Sequence, residues 1–188
     1  MNMTKYILHG GNSKEVNPDN DSYFREMTVG SNGKILVLLN YFSREEDEIL
    51  KLAEQDKQRF LQNSANKNLE FEIAEPDKLE SQLKKAYVMY MRGGDTGWLK
   101  SKLSQTPNLQ KLFKSKVISG SSAGVYVLAK YYWGNDSRKL GEGLGIFNFK
   151  AFCHYAPQDM EIVNKLLKYK EDLPLITLPN YKWVVIYQ

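Results

Sequence analysis

The stretch Lys116–Lys130, KVISGSSAGVYVLAK, decides the fold. A short strand, Lys116–Ser119, runs into Gly120-Ser121-Ser122-Ala123-Gly124, and a helical pattern follows. This is the G-x-S-x-G nucleophile elbow in its required setting of strand, sharp turn and helix. Glycines on either side of Ser122 let strand and helix approach closely around a strained turn. Ser122 is thereby presented at the carboxyl end of a sheet, near a helix N-terminus. The N–H of Ala123 then points where an oxyanion would form. The plainer alternative is a small-residue turn whose serine only caps the helix. The flanking strand and helix favour the nucleophile.

Outward from the elbow, apolar runs of strand length alternate with helical patterns. Lys5–His9, Lys34–Tyr41, Leu69–Ala74 and Tyr87–Met91 read as strands. A continuous apolar run such as ILVLL implies burial on both faces, as in a parallel sheet covered by helices. Ser43–Leu61 is the clearest helix, with Ser43 and Glu46 as a capping-box pair and Ile49, Leu50, Ala53, Phe60 and Leu61 on one face. Shorter helices are expected at Pro76–Lys85, Gly97–Leu103 and Met160–Lys170. No internal repeat or linker interrupts the pattern. The expected architecture is a single three-layer α/β domain over residues 1–188, with a mostly parallel central sheet.

Composition narrows the function. The 188 residues are 42% hydrophobic and 26% charged, which suits one domain with a sizeable core. No apolar run reaches the ~18 residues of a membrane span. The opening MNMTKYILHGG lacks the apolar stretch of a signal peptide, so a cytoplasmic location is expected. A single cysteine, Cys153, excludes an internal disulfide and a multi-thiolate metal site. No metal or organic cofactor is expected. The net charge of +4 is spread out, and its densest pieces, KLFKSK and KLLKYK, interleave apolar residues as solvated helix faces do. Neither nucleic acid nor a membrane is an expected partner.

A serine nucleophile needs a base, and the chain offers His9 and His154. His154, downstream of the elbow in FNFKAFCHY, is preferred. Its neighbour Cys153 would face the other way on an extended segment and reads as a buried, inert thiol. The acids between Ser122 and His154 are Asp136 and Glu142, and either could orient the imidazole. Asp136 is preferred, although its Gly-Asn-Asp-Ser setting also suits a plain turn former. Arg92-Gly93-Gly94-Asp95-Thr96 follows a strand, so its glycine N–H groups can line an anion-binding corner while Asp95 or Thr96 caps the next helix. Gly10-Gly11 is a weaker version of the same corner. Neither a G-x-G-x-x-G motif nor a P-loop occurs, so nucleotide binding has no support.

Together, Gly10-Gly11-Asn12 after the first strand, YMRGGDT midway, ISGSSAGV at the elbow and GLGIFNF with His154 beyond it resemble the dipeptidase E and cyanophycinase family of serine peptidases. The resemblance covers most of the chain and implies the class I glutamine amidotransferase-like fold. It implies Ser122 as nucleophile, His154 as base, an acid in the loop after the nucleophile helix (hence Asp136), and Gly94 with Ala123 as oxyanion hole. Asp95 stands where the family usually has asparagine, and Phe152-Cys153 where an Asn-Pro pair commonly precedes the histidine. The short gap between Ser122 and His154 fits this fold better than an α/β-hydrolase. Serine at the elbow, where amidotransferases use cysteine, disfavours glutamine hydrolysis. The expected protein is a serine hydrolase cleaving a short peptide. The rivals are a catalytically silent binding module on the same fold and an esterase for small acyl groups. Oligomeric state stays open, a homodimer included.

Overall fold

A computed structural model describes residues 3–188. Its elements in chain order are β1 (Lys5–His9), α1 (Pro18–Glu26), β2 (Ile35–Asn40), α2 (Ile49–Asn63), β3 (Leu69–Ile73), α3 (Leu79–Lys85), β4 (Val88–Met91), α4 (Thr96–Ser104) and α5 (Leu109–Leu112). There follow β5 (Val117–Ser121), α6 (Ala123–Leu128), β6 (Tyr131–Gly134), β7 (Lys139–Glu142), β8 (Lys150–Cys153), α7 (Met160–Leu167), β9 (Leu175–Leu178) and β10 (Trp183–Tyr187).

Six strands form a sheet ordered β10-β1-β5-β4-β2-β3, parallel throughout except for antiparallel β10. Alternation sorts its side chains. Ile7, Val37, Leu39, Val88, Tyr90 and Val117 pack with Tyr23 and Phe24 of α1 and Ala53 and Phe60 of α2. Tyr6, Leu8, Leu38, Met89 and Ile118 pack on the other face with Leu83 of α3, Leu99 of α4 and Val125 of α6. A second sheet, β7-β6-β8-β9, joins that side through Ala151 and Cys153, so the layers are helix, sheet, and helix with sheet. The fold is a three-layer α/β sandwich with mostly parallel strands.

Register makes this fold a platform. His9 lies opposite Ser121, Met91 opposite Gly120, and Asn40 opposite Met91. Four parallel strands therefore end along one line, and the loops after β1, β2, β4 and β5 converge at their carboxyl ends. Among the described residues, no helix is long and apolar enough to cross a membrane.

Two local readings change. The helix expected from Ser43 begins later, with a 3-10 turn at Glu46–Glu48 leading into α2. Ser43 Oγ does not cap it; it donates to the carbonyl of Arg92 at 2.8 Å. Helix α1 was not expected from apolar periodicity. It is set by its start, where the Asn17 side chain accepts from Asn20 N–H and Pro18 occupies the first turn.

Candidate active site

Ser122 follows β5 and precedes α6, with φ 48° and ψ −99°. A backbone in that region costs roughly 1–3 kcal/mol and persists only where its surroundings hold it. Here its N–H donates to the His9 carbonyl at 2.9 Å, while its own carbonyl accepts from Val125 and Tyr126 N–H. The elbow glycines have a steric reason. A Cβ on Gly120 would lie 2.6 Å from the backbone carbon of Gly124, and one on Gly124 would lie 3.0 Å from the Met91 carbonyl oxygen. The serine is half-buried and opens to the strand ends.

His154 follows β8 and also has a positive φ, 56°. Its N–H donates to the Gly10 carbonyl at 2.8 Å, and its Nε2 lies 3.0 Å from Ser122 Oγ. The Gly10-Gly11 corner makes room for the ring. A Cβ on Gly11 would sit 2.1 Å from His154 Cε1, and one on Gly10 would sit 2.0 Å from the Pro179 carbonyl oxygen. No side chain fits between these neighbours.

The other imidazole nitrogen meets neither expected acid. His154 Nδ1 lies 2.6 Å from Asn180 Oδ1. Since an amide oxygen only accepts, Nδ1 carries the proton and Nε2 is left to accept from Ser122. Glu142 instead pairs with Lys170. Asp136, on the turn between β6 and β7, is exposed and lines the cleft beside Ser122 and His154 without bonding the ring. Asn180 reaches the ring because the turn between β9 and β10 is tied to the Gly10-Gly11 corner. Tyr181 N–H donates to the Gly11 carbonyl at 3.1 Å, and Gly10 N–H to the Lys182 carbonyl at 2.9 Å. A sequence sign existed in Pro179-Asn180, a turn pair between two apolar runs.

The N–H groups of Gly94 and of Ala123, first residue of α6, have no protein acceptor among the described residues. Gly94 has φ 153°, and the preceding Gly93 would bring a Cβ to 3.4 Å from Ser122 Cβ. The Gly93-Gly94 turn therefore lies against the elbow. Asp95 caps α4 by accepting from Trp98 N–H at 2.7 Å, which leaves the glycine amides unused by the helix.

Two cavities flank the Ser122–His154 pair. One, about 290 Å³, adds Lys14, Arg44 and Arg92 to Gly93 and Gly94; the other, about 370 Å³, adds Asp95, Tyr126 and Tyr132. Asp136 borders both. Under the first, Arg92 Nη1 meets Asp56 Oδ1 at 2.6 Å, and Tyr41 O–H donates to Asp56 Oδ2 at 2.9 Å. The pair is almost fully buried, with side chains 5% and 2% exposed.

Cys153 and His9 are the remaining chemical candidates. Burial pushes the Cys153 thiol well above its ordinary range, so it stays protonated and unreactive. His9 is fully buried, and Gly11 N–H donates to its Nδ1 at 3.1 Å. Its Nε2 therefore carries the proton and donates to Asn20 Oδ1 at 2.8 Å. It does not reach Ser122; its Nδ1 lies 3.3 Å from Ser121 Oγ. Burial pushes His9 down to about 4 despite the Asn20 bond, below the ~6.5 of a solvated imidazole. Between those values the unfolded chain binds the extra proton, so stability falls as pH drops from about 6.5 to about 4. His9→Gln should flatten that part of the curve. Thermal unfolding of both proteins at intervals from neutral pH to pH ~4 checks this; parallel curves would contradict it.

Among the described residues, no group of three or more His, Cys, Asp or Glu could hold a metal ion. A three-layer sandwich with a mostly parallel sheet, its strand ends presenting a strained Ser122 beside His154, has the class I glutamine amidotransferase-like fold. The sequence matches Peptidase family S51 over residues 7–188, and the chain belongs to that family, the one its motifs resemble. It is thus a peptidase by class. A crystal structure of a peptidase from an acI-B1 Actinobacterium shares the fold with TM-score 0.70 at 20% identity, over 98% of this chain and 84% of that one. A Listeria monocytogenes EGD-e protein provisionally assigned as peptidase E does so with TM-score 0.67 at 18% identity, over 99% and 98%. No curated protein sequence matches the chain.

Proposed function

We propose that the protein is a serine peptidase that hydrolyses short peptides through an acyl-enzyme. The observation that carries this reading is the 3.0 Å approach of His154 Nε2 to Ser122 Oγ, within reach for proton transfer. Ser122 Oγ attacks the scissile carbonyl carbon as its proton passes to Nε2. The carbonyl oxygen becomes an oxyanion held by the N–H groups of Gly94 and Ala123. When the tetrahedral species collapses, the C–N bond breaks and His154 gives its proton to the departing amine. Water, deprotonated by the same nitrogen, then attacks the ester and releases the acid and Ser122. Asn180 holds the tautomer and orientation that both steps need. A silent module would have been favoured by a distant histidine, and the observed approach gives that reading no support.

The neutral Asn180 has a consequence. It orients the ring but adds no negative charge to stabilise the imidazolium, unlike a carboxylate. Asn180→Ala should lower kcat by roughly 10–1,000-fold, bounded above by the ~10⁴ lost when a wrong tautomer is imposed on a triad. Asn180→Asp should keep activity and move the acid limb of the kcat/KM profile to higher pH. An unchanged Asn180→Ala enzyme would remove Asn180 from the mechanism.

The cleft carries both signs of charge: Lys14 and Arg44 line one cavity, Asp95 lines the other, and Asp136 borders both. A zwitterionic substrate of dipeptide size suits that arrangement. The test is a panel of dipeptides with acidic, basic and neutral first residues, alongside short acyl esters, run on wild type and Ser122→Ala. Dipeptide turnover that disappears in Ser122→Ala is the expected result. Turnover of esters alone would replace peptidase by esterase, and turnover unaffected by Ser122→Ala would refute the serine mechanism.

A further inference from the structure

The Arg92–Asp95 turn is gripped at successive backbone positions by Ser43 and Arg44, from the loop after β2. Ser43 Oγ donates to the Arg92 carbonyl at 2.8 Å, Arg44 Nε donates to the Gly93 carbonyl at 2.6 Å, and the Ser43 carbonyl accepts from Asp95 N–H at 2.9 Å. The fit is close: a Cβ on Gly94 would lie 2.3 Å from the Ser43 carbonyl oxygen and 3.0 Å from Arg44 Nε. The loop itself is braced, because Arg44 N–H donates to the Tyr41 carbonyl at 2.9 Å.

The Gly93 carbonyl and the Gly94 N–H belong to one peptide group. The described chain has no cis peptide bonds, so these two groups point in opposite directions. A guanidinium fixed on the carbonyl oxygen therefore aims the Gly94 N–H away from Arg44. A turn of two glycines has no intrinsic preference that would hold this peptide plane in place. The charged donor also polarises the peptide, which makes the N–H at its far end a better donor.

We infer that Arg44 is a positioning residue that locks the Gly93–Gly94 peptide with its N–H turned toward the oxyanion. This deepens the serine-peptidase reading and rests on it. Arg44 acts through Gly94 and does not need to touch the substrate. Arg44 also lines the cavity, with its Nη1 4.0 Å from Glu48 Oε2, which defines the competing role of a direct contact to a substrate carboxylate.

Arg44→Ala and Arg44→Gln, compared with wild type, separate the two roles. The substrates are the best-cleaved dipeptide and its C-terminally amidated form. The probe for the oxyanion site is an aminoalkyl boronic acid matching the acyl half of that dipeptide, which becomes tetrahedral on Ser122. Loss of one fixed oxyanion donor costs up to about 10²–10³ in kcat, and a donor merely freed to rotate about 10–100-fold. The expected result is a fall in kcat of that size with KM within about twofold, equal on both substrates, and boronate affinity weakened by a similar factor. Added guanidinium should restore part of the Arg44→Ala activity. A rise in KM confined to the free-carboxylate dipeptide, with kcat unchanged, would overturn the inference in favour of substrate contact. Unchanged kcat and boronate affinity would overturn it outright. Should Arg44→Ala not fold, Arg44→Gln, which retains an amide donor, carries the same comparison. Ser122→Ala in the same assays distinguishes failures: if it retains wild-type turnover, the peptidase reading itself falls.

Discussion

Ser122→Ala is expected to lower kcat on the best dipeptide by roughly 10⁴–10⁶, since removing a nucleophile that works with a base costs about as much as removing both. The variant should keep its melting temperature, because the elbow is held by backbone bonds and by the contact of Gly120 with Gly124, none of which involves Oγ. His154→Ala should fall to a similar level, and the double variant little further, the mark of residues acting as one unit. Steady-state kinetics on the three variants with matched thermal unfolding checks this. Additive losses would separate Ser122 from His154.

The largest stability effect is expected at Asp56. Asp56→Ala leaves the Arg92 guanidinium, 5% exposed, without its carboxylate and removes the acceptor of Tyr41 O–H. An unpaired buried charge costs about 3–5 kcal/mol, equivalent to a fall in melting temperature of roughly 10 °C for a domain of this size. The damage reaches the site, because Arg92 begins the turn that carries Gly93 and Gly94. Replacing both partners, as in Asp56→Leu with Arg92→Met, should recover much of the stability, since no charge is then left unpaired. Calorimetry of the single and double variants reads this directly. A single variant within about 1 kcal/mol of wild type would mean that water reaches the Arg92 guanidinium.

The parallel sheet was legible because strand burial leaves a one-dimensional record. The KYILH run is β1 residue for residue, and ILVLLN is β2, trimmed by one residue at each end of the expected strand. The elbow was legible for the same reason: its glycines, strand and helix are consecutive. The second sheet was not, because β6 to β9 are four-residue strands, β8 buried throughout and the other three mostly half-buried or exposed, so none carries a clear period. Ser43 looked like a helix cap from its spacing to Glu46, but its hydroxyl is taken by a carbonyl 49 residues away. Asn180 went unseen for a chemical reason. A search for the partner of a histidine looks for a carboxylate near it in sequence, whereas the partner is a neutral amide 26 residues on, delivered by a turn packed on Gly10 and Gly11.

The pairing of Ser122 with His154 is tested most directly by covalent labelling with an alkyl fluorophosphonate, followed by mass spectrometry of the digested protein. Attack by an activated serine displaces fluoride and leaves the phosphonyl group on Oγ. The expected result is one added phosphonyl group, located on the peptide that contains Ser122. It should be absent in Ser122→Ala and formed far more slowly in His154→Ala, at unchanged folding. Labelling at another residue, or a dipeptide-cleaving enzyme whose Ser122 stays unmodified, would contradict the assignment.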